Sequence, residues 1–252
     1  MSSVTYRVVA DGVVLLEIDN PPVNALSAAV RQDLKDAITE LSRPDPAVRV
    51  LVVTGQPGRF CAGADIAELK DAFDGGEEAI RDLVASVQEL FTSIESLPTP
   101  TIAAIGGPAV GGGLELALAC DFRIVGESFP LGLPEARLGL VPAAGGTQRL
   151  PATIGVAAAL RMVLLADPVG ADEAKRLGLV TEVTPDDDVL NESLELAARL
   201  ADRPQTALAA AKRAVRASAR YDLAAEVDAF VAAAQHPDAV QRVAAFLTRT
   251  PR

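Results

Sequence analysis

The hydrophobic and polar positions change their period several times along the chain. Residues 4–9 (VTYRVV) and 13–18 (VVLLEI) read as two strands, with Asp11-Gly12 between them as a hairpin turn. Asn20-Pro21-Pro22-Val23-Asn24 is a loop, and a helix follows over residues 27–42, capped by Ser27 and ended before Pro44. Residues 50–54 (VLVVT) form a short, wholly apolar run rich in β-branched side chains, the mark of a strand buried on both faces. A loop of small residues covers 55–65, and residues 77–96 form a long amphipathic helix that Pro98 and Pro100 bring to an end. Residues 101–105 (TIAAI) are a second buried strand, Gly111-Gly112-Gly113 opens a helix with LELALA, and residues 121–125 (DFRIV) are a strand again. From about residue 187 the pattern turns helical, over 187–202, 204–219, 222–235 and 238–249. Strands and helices therefore alternate through the first two thirds, which predicts an α/β core followed by a helical C-terminal subdomain.

Composition narrows this picture. Half of the 252 residues are hydrophobic, but only 4% are aromatic and Trp is absent, so the core is built from Ala, Val, Leu and Ile. The formal charge of −11 argues against nucleic acid as a partner, and an anionic ligand would need its own local cations. Two cysteines, Cys61 and Cys120, make no disulfide framework and suit a reducing cytoplasm. The first residues do not read as a signal peptide, and no apolar run reaches membrane-spanning length. A single histidine, His236, removes His-rich metal sites and a Ser-His-Asp triad, so no metal is expected.

Three segments carry candidate chemistry: residues 59–66 (RFCAGADI), 111–117 (GGGLELA) and 132–151, from GLPE to GGTQRLP. A glycine triplet lets backbone approach a ligand closely, and at a helix start its free N–H groups favour negative charge. Two loops that each offer one N–H could form an oxyanion hole; the other reading is tight packing of helix on sheet. Glu115 is a lone acid in an apolar helix, where burial costs several kcal/mol unless it is paired or neutralised. It serves chemistry, or it faces solvent or a partner helix. Glu135 follows Pro134 and reads alone as a surface acid complementing a helix dipole. A helix N-terminus lowers a carboxyl pKa, whereas a general acid needs it raised, so burial or Glu115 would have to prevail.

Taken together, NPPVNAL (20–26), FCAGADI (60–66), GGGLELALACD (111–121) and GLPEARLGLVP (132–142) with GGTQRLP (145–151) resemble the crotonase (enoyl-CoA hydratase/isomerase) superfamily over essentially the whole chain. The chain looks most like the hydratase half of bifunctional fatty-acid oxidation enzymes, as a free-standing domain. The resemblance implies a spiral core of ββα units over residues 1–190, with residues 191–252 as a helical subdomain for oligomerisation. It implies an enoyl-CoA hydratase, with Ala64 and Gly112 as oxyanion-hole donors and Glu115 and Glu135 as base and acid. Ala62, Asp65, Ile66 and Gly111 would lie near the acyl-CoA, with Arg59 and Arg249 as candidate cations for its phosphates. No separate cofactor is implied, since coenzyme A is part of the substrate. The family is built as trimers, often paired into hexamers. A Δ3,Δ2-enoyl-CoA isomerase, or a non-catalytic acyl-CoA-binding relative, is the alternative. Ala143 stands where many hydratases carry Gly, and the usual aromatic near the adenine is not evident around Ala234. Arg149 is expected to pair with backbone or a carboxylate.

Overall fold

The computed structural model describes residues 3–248 apart from 44, 46 and 217–222. In chain order the elements are β1 (Val4–Ala10), β2 (Val13–Ile18), α1 (Ala28–Leu41), β3 (Val50–Gly55), α2 (Ile66–Asp74), α3 (Glu77–Ser96), β4 (Thr101–Ile105), β5 (Ala109–Val110), α4 (Gly112–Ala119), β6 (Phe122–Gly126), β7 (Leu131–Gly132), a short 3-10 helix (Glu135–Leu138), α5 (Gly146–Ile154), α6 (Val156–Leu165), α7 (Ala171–Arg176), β8 (Glu182–Thr184), α8 (Val189–Ala201), α9 (Gln205–Arg216), α10 (Leu223–Ala234) and α11 (Pro237–Leu247).

The large sheet has the order β1-β2-β3-β4-β6-β8. β1 and β2 form the expected antiparallel hairpin, and every later neighbour pairs in parallel. Both faces of the parallel part are covered, so β3 and β4 are apolar but for Thr54 and Thr101, whose buried hydroxyls are hydrogen-bonded. Along the strands, alternate residues go to opposite faces. Val14, Leu16, Leu51, Val53, Ala103 and Ile105 pack with α1, α3 and α4, while Val13, Leu15, Val50, Val52, Ile102 and Ala104 pack with Val189, Ala197 and Ala201 of α8. α8 is the layer that buries the second face, with contacts running on to Ala201.

A second, minimal sheet sets the spiral. β5 pairs with β7 in parallel, and single bridges extend the row from Cys61 to Ala109 and from Leu131 to Val169. Each turn of chain places one strand in the large sheet, one short segment in this row, and then a helix. The fold is α/β with a central sheet and C-terminal helices, as expected from the strand–helix alternation.

Ser27 caps α1 by accepting from the Val30 N–H. α2, α5, α6 and α7 are helices that periodicity does not announce. They are short, and glycines at 145, 155, 170 and 178 divide the chain around them. The C-terminal helices fold back over the front of the molecule, where Phe230, Val231 and Ala234 of α10 and Val243 of α11 join Leu69 and Ala72 of α2 and Ile80 and Val84 of α3 in one cluster. Among the described residues no helix is long and apolar enough to cross a membrane.

Candidate active site

The site forms where the short row of strand segments gives way to helices. Ala64, bridged to Leu26, precedes Asp65, whose side chain caps α2 by accepting from the Ala67 and Glu68 N–H groups. Gly112 starts α4 one turn of the spiral later. The two loops touch through backbone. A Cβ on Gly112 would lie 3.3 Å from Gly63 Cα and 3.6 Å from Ala64 N, and one on Gly113 would lie 1.9 Å from the Cys61 carbonyl oxygen. The glycine triplet therefore does both things weighed for it: it packs tightly, and that packing brings two backbone N–H groups together. Among the described residues, neither the Ala64 nor the Gly112 N–H meets an acceptor. Both residues line a cavity of about 150 Å³.

Glu115, in the first turn of α4, is 3% exposed, and its Oε1 accepts from the Ala144 and Gly146 N–H groups, each at 2.8 Å. Glu135 opens the 3-10 helix and packs against Gly111, where a Cβ would come 3.0 Å from Glu135 Oε1. Its other oxygen, Oε2, is buried without a hydrogen-bond partner among the described residues. Both carboxyls line the same cavity. Burial pushes Glu135 up to about 7; its own backbone N–H pulls the other way, and the charge of Glu226 adds to the rise. Burial also raises Glu115, with Glu135 and Glu226 adding to it, while the Gly146 and Ala144 N–H groups hold it back. Glu115 thus has two N–H donors on one oxygen, whereas Glu135 has an oxygen with none among the described residues. At Glu135 burial therefore outweighs the lowering by its own backbone N–H.

Ala62, Asp65, Ile66 and Gly111 also line the cavity. Arg59 does not; its guanidinium reaches Asp19 at 3.4 Å, with Nε buried and without a partner among the described residues. Arg249 lies outside the described residues. The cation that does line the cavity is Arg31, bound to Glu68 at 2.8 Å. The distal wall comes from Leu69, Leu83, Val84, Val87, Leu138 and Phe230. Arg149 is 1% exposed and binds Glu95 through Nε and Nη2 and the Ala144 carbonyl through Nη1, in line with the structural role expected of it. Burial drives the Cys61 and Cys120 thiols up to about 12, so neither is a ready nucleophile.

One residue near the acids escapes sequence reasoning altogether. Glu226 of α10 is 2% exposed and accepts from the Gly145 and Thr147 N–H groups, the Thr147 hydroxyl and Gln88 Nε2. Its only signal in the sequence is an acid among small apolar residues, the same weak signal that Glu115 gives.

Residues 9–249 match the family described as Enoyl-CoA hydratase/isomerase. The chain is 38% identical over 241 residues to a crotonyl-CoA hydratase of Syntrophomonas wolfei subsp. wolfei, covering 93% of this chain and 91% of that protein. It is 39% identical over 226 residues to the enoyl-CoA isomerase/hydratase fer4 of Mycosarcoma maydis, covering 86% and 81%. The crystal structure of an enoyl-CoA hydratase from Mycobacterium avium subsp. paratuberculosis K-10 superposes with a TM-score of 0.85 at 30% identity, over 99% of this chain and 98% of the other. A glycine-lined pair of backbone donors, two acids on one cavity and matches of this length agree: the chain belongs to the enoyl-CoA hydratase/isomerase family, within the crotonase superfamily.

Proposed function

We propose that this protein is an enoyl-CoA hydratase, adding water to a 2-enoyl-CoA thioester to give the 3-hydroxyacyl-CoA. The observation that carries the reading is the pairing of two carboxyls with two acceptor-free backbone N–H groups on one cavity. The thioester carbonyl accepts from the Ala64 and Gly112 N–H groups, and the start of α4 adds its dipole to the enolate-like charge. Glu115, held as the carboxylate, takes a proton from water as the water oxygen bonds to C3. The C2–C3 π electrons move towards the carbonyl, and Glu135 gives its proton to C2. The proton on Glu115 then returns to Glu135 through the next water, which restores both groups. Water and proton come from one side, so the addition is syn.

Ala62, Asp65, Ile66 and Gly111 would contact the acyl-CoA, and Arg59 and Arg249 remain the candidates for its phosphates, joined by Arg31 from the cavity wall. A volume of about 150 Å³ supports short enoyl groups, since a protein cavity of that size accepts benzene. Val156, Leu160 and Leu164, exposed along one side of α6, support a homotrimer or a pair of trimers, for which light scattering gives the test. The enzyme would work in the cytoplasm without a separate cofactor.

The experiment is the loss of crotonyl-CoA absorbance with purified protein, Glu115→Gln and Glu135→Gln. Each variant should lose about 10²–10⁴-fold in kcat, the usual worth of a positioned acid or base. Wild-type-like hydration in either variant would remove the paired assignment. The name of the Mycosarcoma maydis relative favours isomerisation as a second activity. A 3-enoyl-CoA substrate tests it; conversion of that substrate without hydration of crotonyl-CoA would make isomerisation the primary reaction.

A further inference from the structure

The loop before α5 carries the N–H groups that hold Glu115, and its four peptide units alternate in direction. The Ala143–Ala144 peptide has its carbonyl held by Gln88 Nε2 at 2.7 Å and its N–H by Glu115 at 2.8 Å. The Ala144–Gly145 peptide has its carbonyl held by Arg149 Nη1 at 3.0 Å and its N–H by Glu226 Oε2. In the Gly145–Gly146 peptide the carbonyl accepts from the Arg149 backbone N–H at 2.7 Å, and the N–H goes to Glu115 at 2.8 Å. The Thr147 N–H again goes to Glu226, at 2.8 Å.

Four successive N–H groups are thus shared by two carboxylates in strict alternation. Those at 144 and 146 go to Glu115, and those at 145 and 147 go to Glu226. Gln88 ties the arrangement together by donating both to the Ala143 carbonyl and to Glu226 Oε2, at 3.1 Å. Glu226 arrives on α10, more than a hundred residues from Glu115 in sequence, and the same helix supplies Phe230 to the cavity wall.

We propose that Glu226 is a positioning residue for the hydration reaction: it fixes the peptide planes of residues 144–147 so that Glu115 is held in one orientation. This rests on the reading of Glu115 as the base. Without Glu226, a buried N–H at 145 and a part-buried one at 147 lose their acceptors, and the glycines at 145 and 146 leave the loop free to turn them elsewhere. Glu115 would keep its burial but lose its fixed donors. Chemistry then slows while acyl-CoA binding, through the Ala64 and Gly112 side of the cavity, persists.

The test compares wild type, Glu226→Gln and Glu226→Ala by two independent readouts. Amide hydrogen exchange reads the loop whatever the enzyme catalyses. The amides of Gly145 and Thr147 should exchange about tenfold faster or more in Glu226→Ala, with a smaller rise in Glu226→Gln, whose amide can satisfy only one side. Crotonyl-CoA kinetics read the consequence: kcat should fall about 10²-fold in Glu226→Ala with KM within about threefold, as misplacement of a reacting group by about 1 Å does. Thr147→Val, which removes the hydroxyl's bond to Glu226 and the one it accepts from Gln148 Nε2 while keeping side-chain volume, covers the case in which Glu226→Ala does not fold; it should show the same kcat-directed loss, scaled down. Unchanged exchange at 145 and 147 would overturn the clamp itself. Faster exchange with unchanged kcat, in an enzyme that Glu115→Gln inactivates, would overturn its positioning role. A fall in activity carried by KM alone would make Glu226 a pocket-shaping residue instead. If Glu115→Gln hydrates normally, the fault lies in the assignment of the base, and the exchange data still decide the clamp.

Discussion

Replacing Glu135 by Gln should make the protein more stable as it makes it inactive, and the gain should grow with pH. The native carboxyl is raised from 4.5 to about 7. Below pH 4.5 both native and unfolded chains hold this proton, and burial of a neutral carboxyl resembles burial of a neutral amide. Between 4.5 and about 7 the unfolded chain releases the proton and the native one keeps it, so wild-type stability falls as pH rises. Above about 7 the native carboxyl is ionised too and the full penalty is in place. A difference of about 2.5 units corresponds to about 3 kcal/mol, and in a chain of this size to a Tm gap of about 6 °C. The variant does not titrate, and it leaves no former partner of Oε2 unsatisfied, because there is none among the described residues. Thermal unfolding of both proteins at equal concentration, at pH 4.5, 6, 7 and 8, gives the curve. Coincident Tm values at pH 4.5 that separate to about 6 °C at pH 8 are expected. A gap that is constant with pH, or a variant less stable at pH 8, would refute the attribution of the raised pKa to burial of the charge.

Three further outcomes follow from the same geometry. With Glu135 as the acid, kcat/KM for hydration should fall about tenfold per pH unit above about 7, read from initial rates at subsaturating crotonyl-CoA. In Gly146→Ala the Cβ would lie 2.7 Å from Glu115 Oε1 and 3.0 Å from Pro142 Cβ; displacing that carboxylate should cost about 10²-fold in kcat, and the crowding about 1–3 kcal/mol in urea unfolding. Arg149→Leu should cost about 3–5 kcal/mol in urea unfolding, because Arg149 and Glu95 are both buried and Glu95 is left with Arg216 alone.

Much of the frame is legible in the chain itself. The runs at 50–54 and 101–105 announce strands covered on both sides, because a parallel sheet with helices on each face takes apolar side chains at both alternations and admits Thr54 and Thr101 only with their hydroxyls bonded. Asp11-Gly12, Ser27 and Pro98 mark their turn, cap and stop by local rules that tertiary structure did not override. The motif order also brings together on paper the residues that line one cavity. What the chain alone could not settle is how each acid behaves. The Glu135 carboxyl stands between a helix start that lowers its pKa and a burial that raises it, and only the docking of Gly111 and the cavity wall weights the second above the first. Arg59 is close to its motif in sequence but off the cavity, while Arg31, distant in the motif order, is on it. Glu226 is the extreme case. Its neighbours in sequence make it an ordinary acid on a C-terminal helix. Its burial and its four donors come from residues 88 and 145–147, which α10 meets only after the chain has folded back over the sheet. Local pattern reports what each segment can bury; which donors a buried charge finds is a property of how the segments pack.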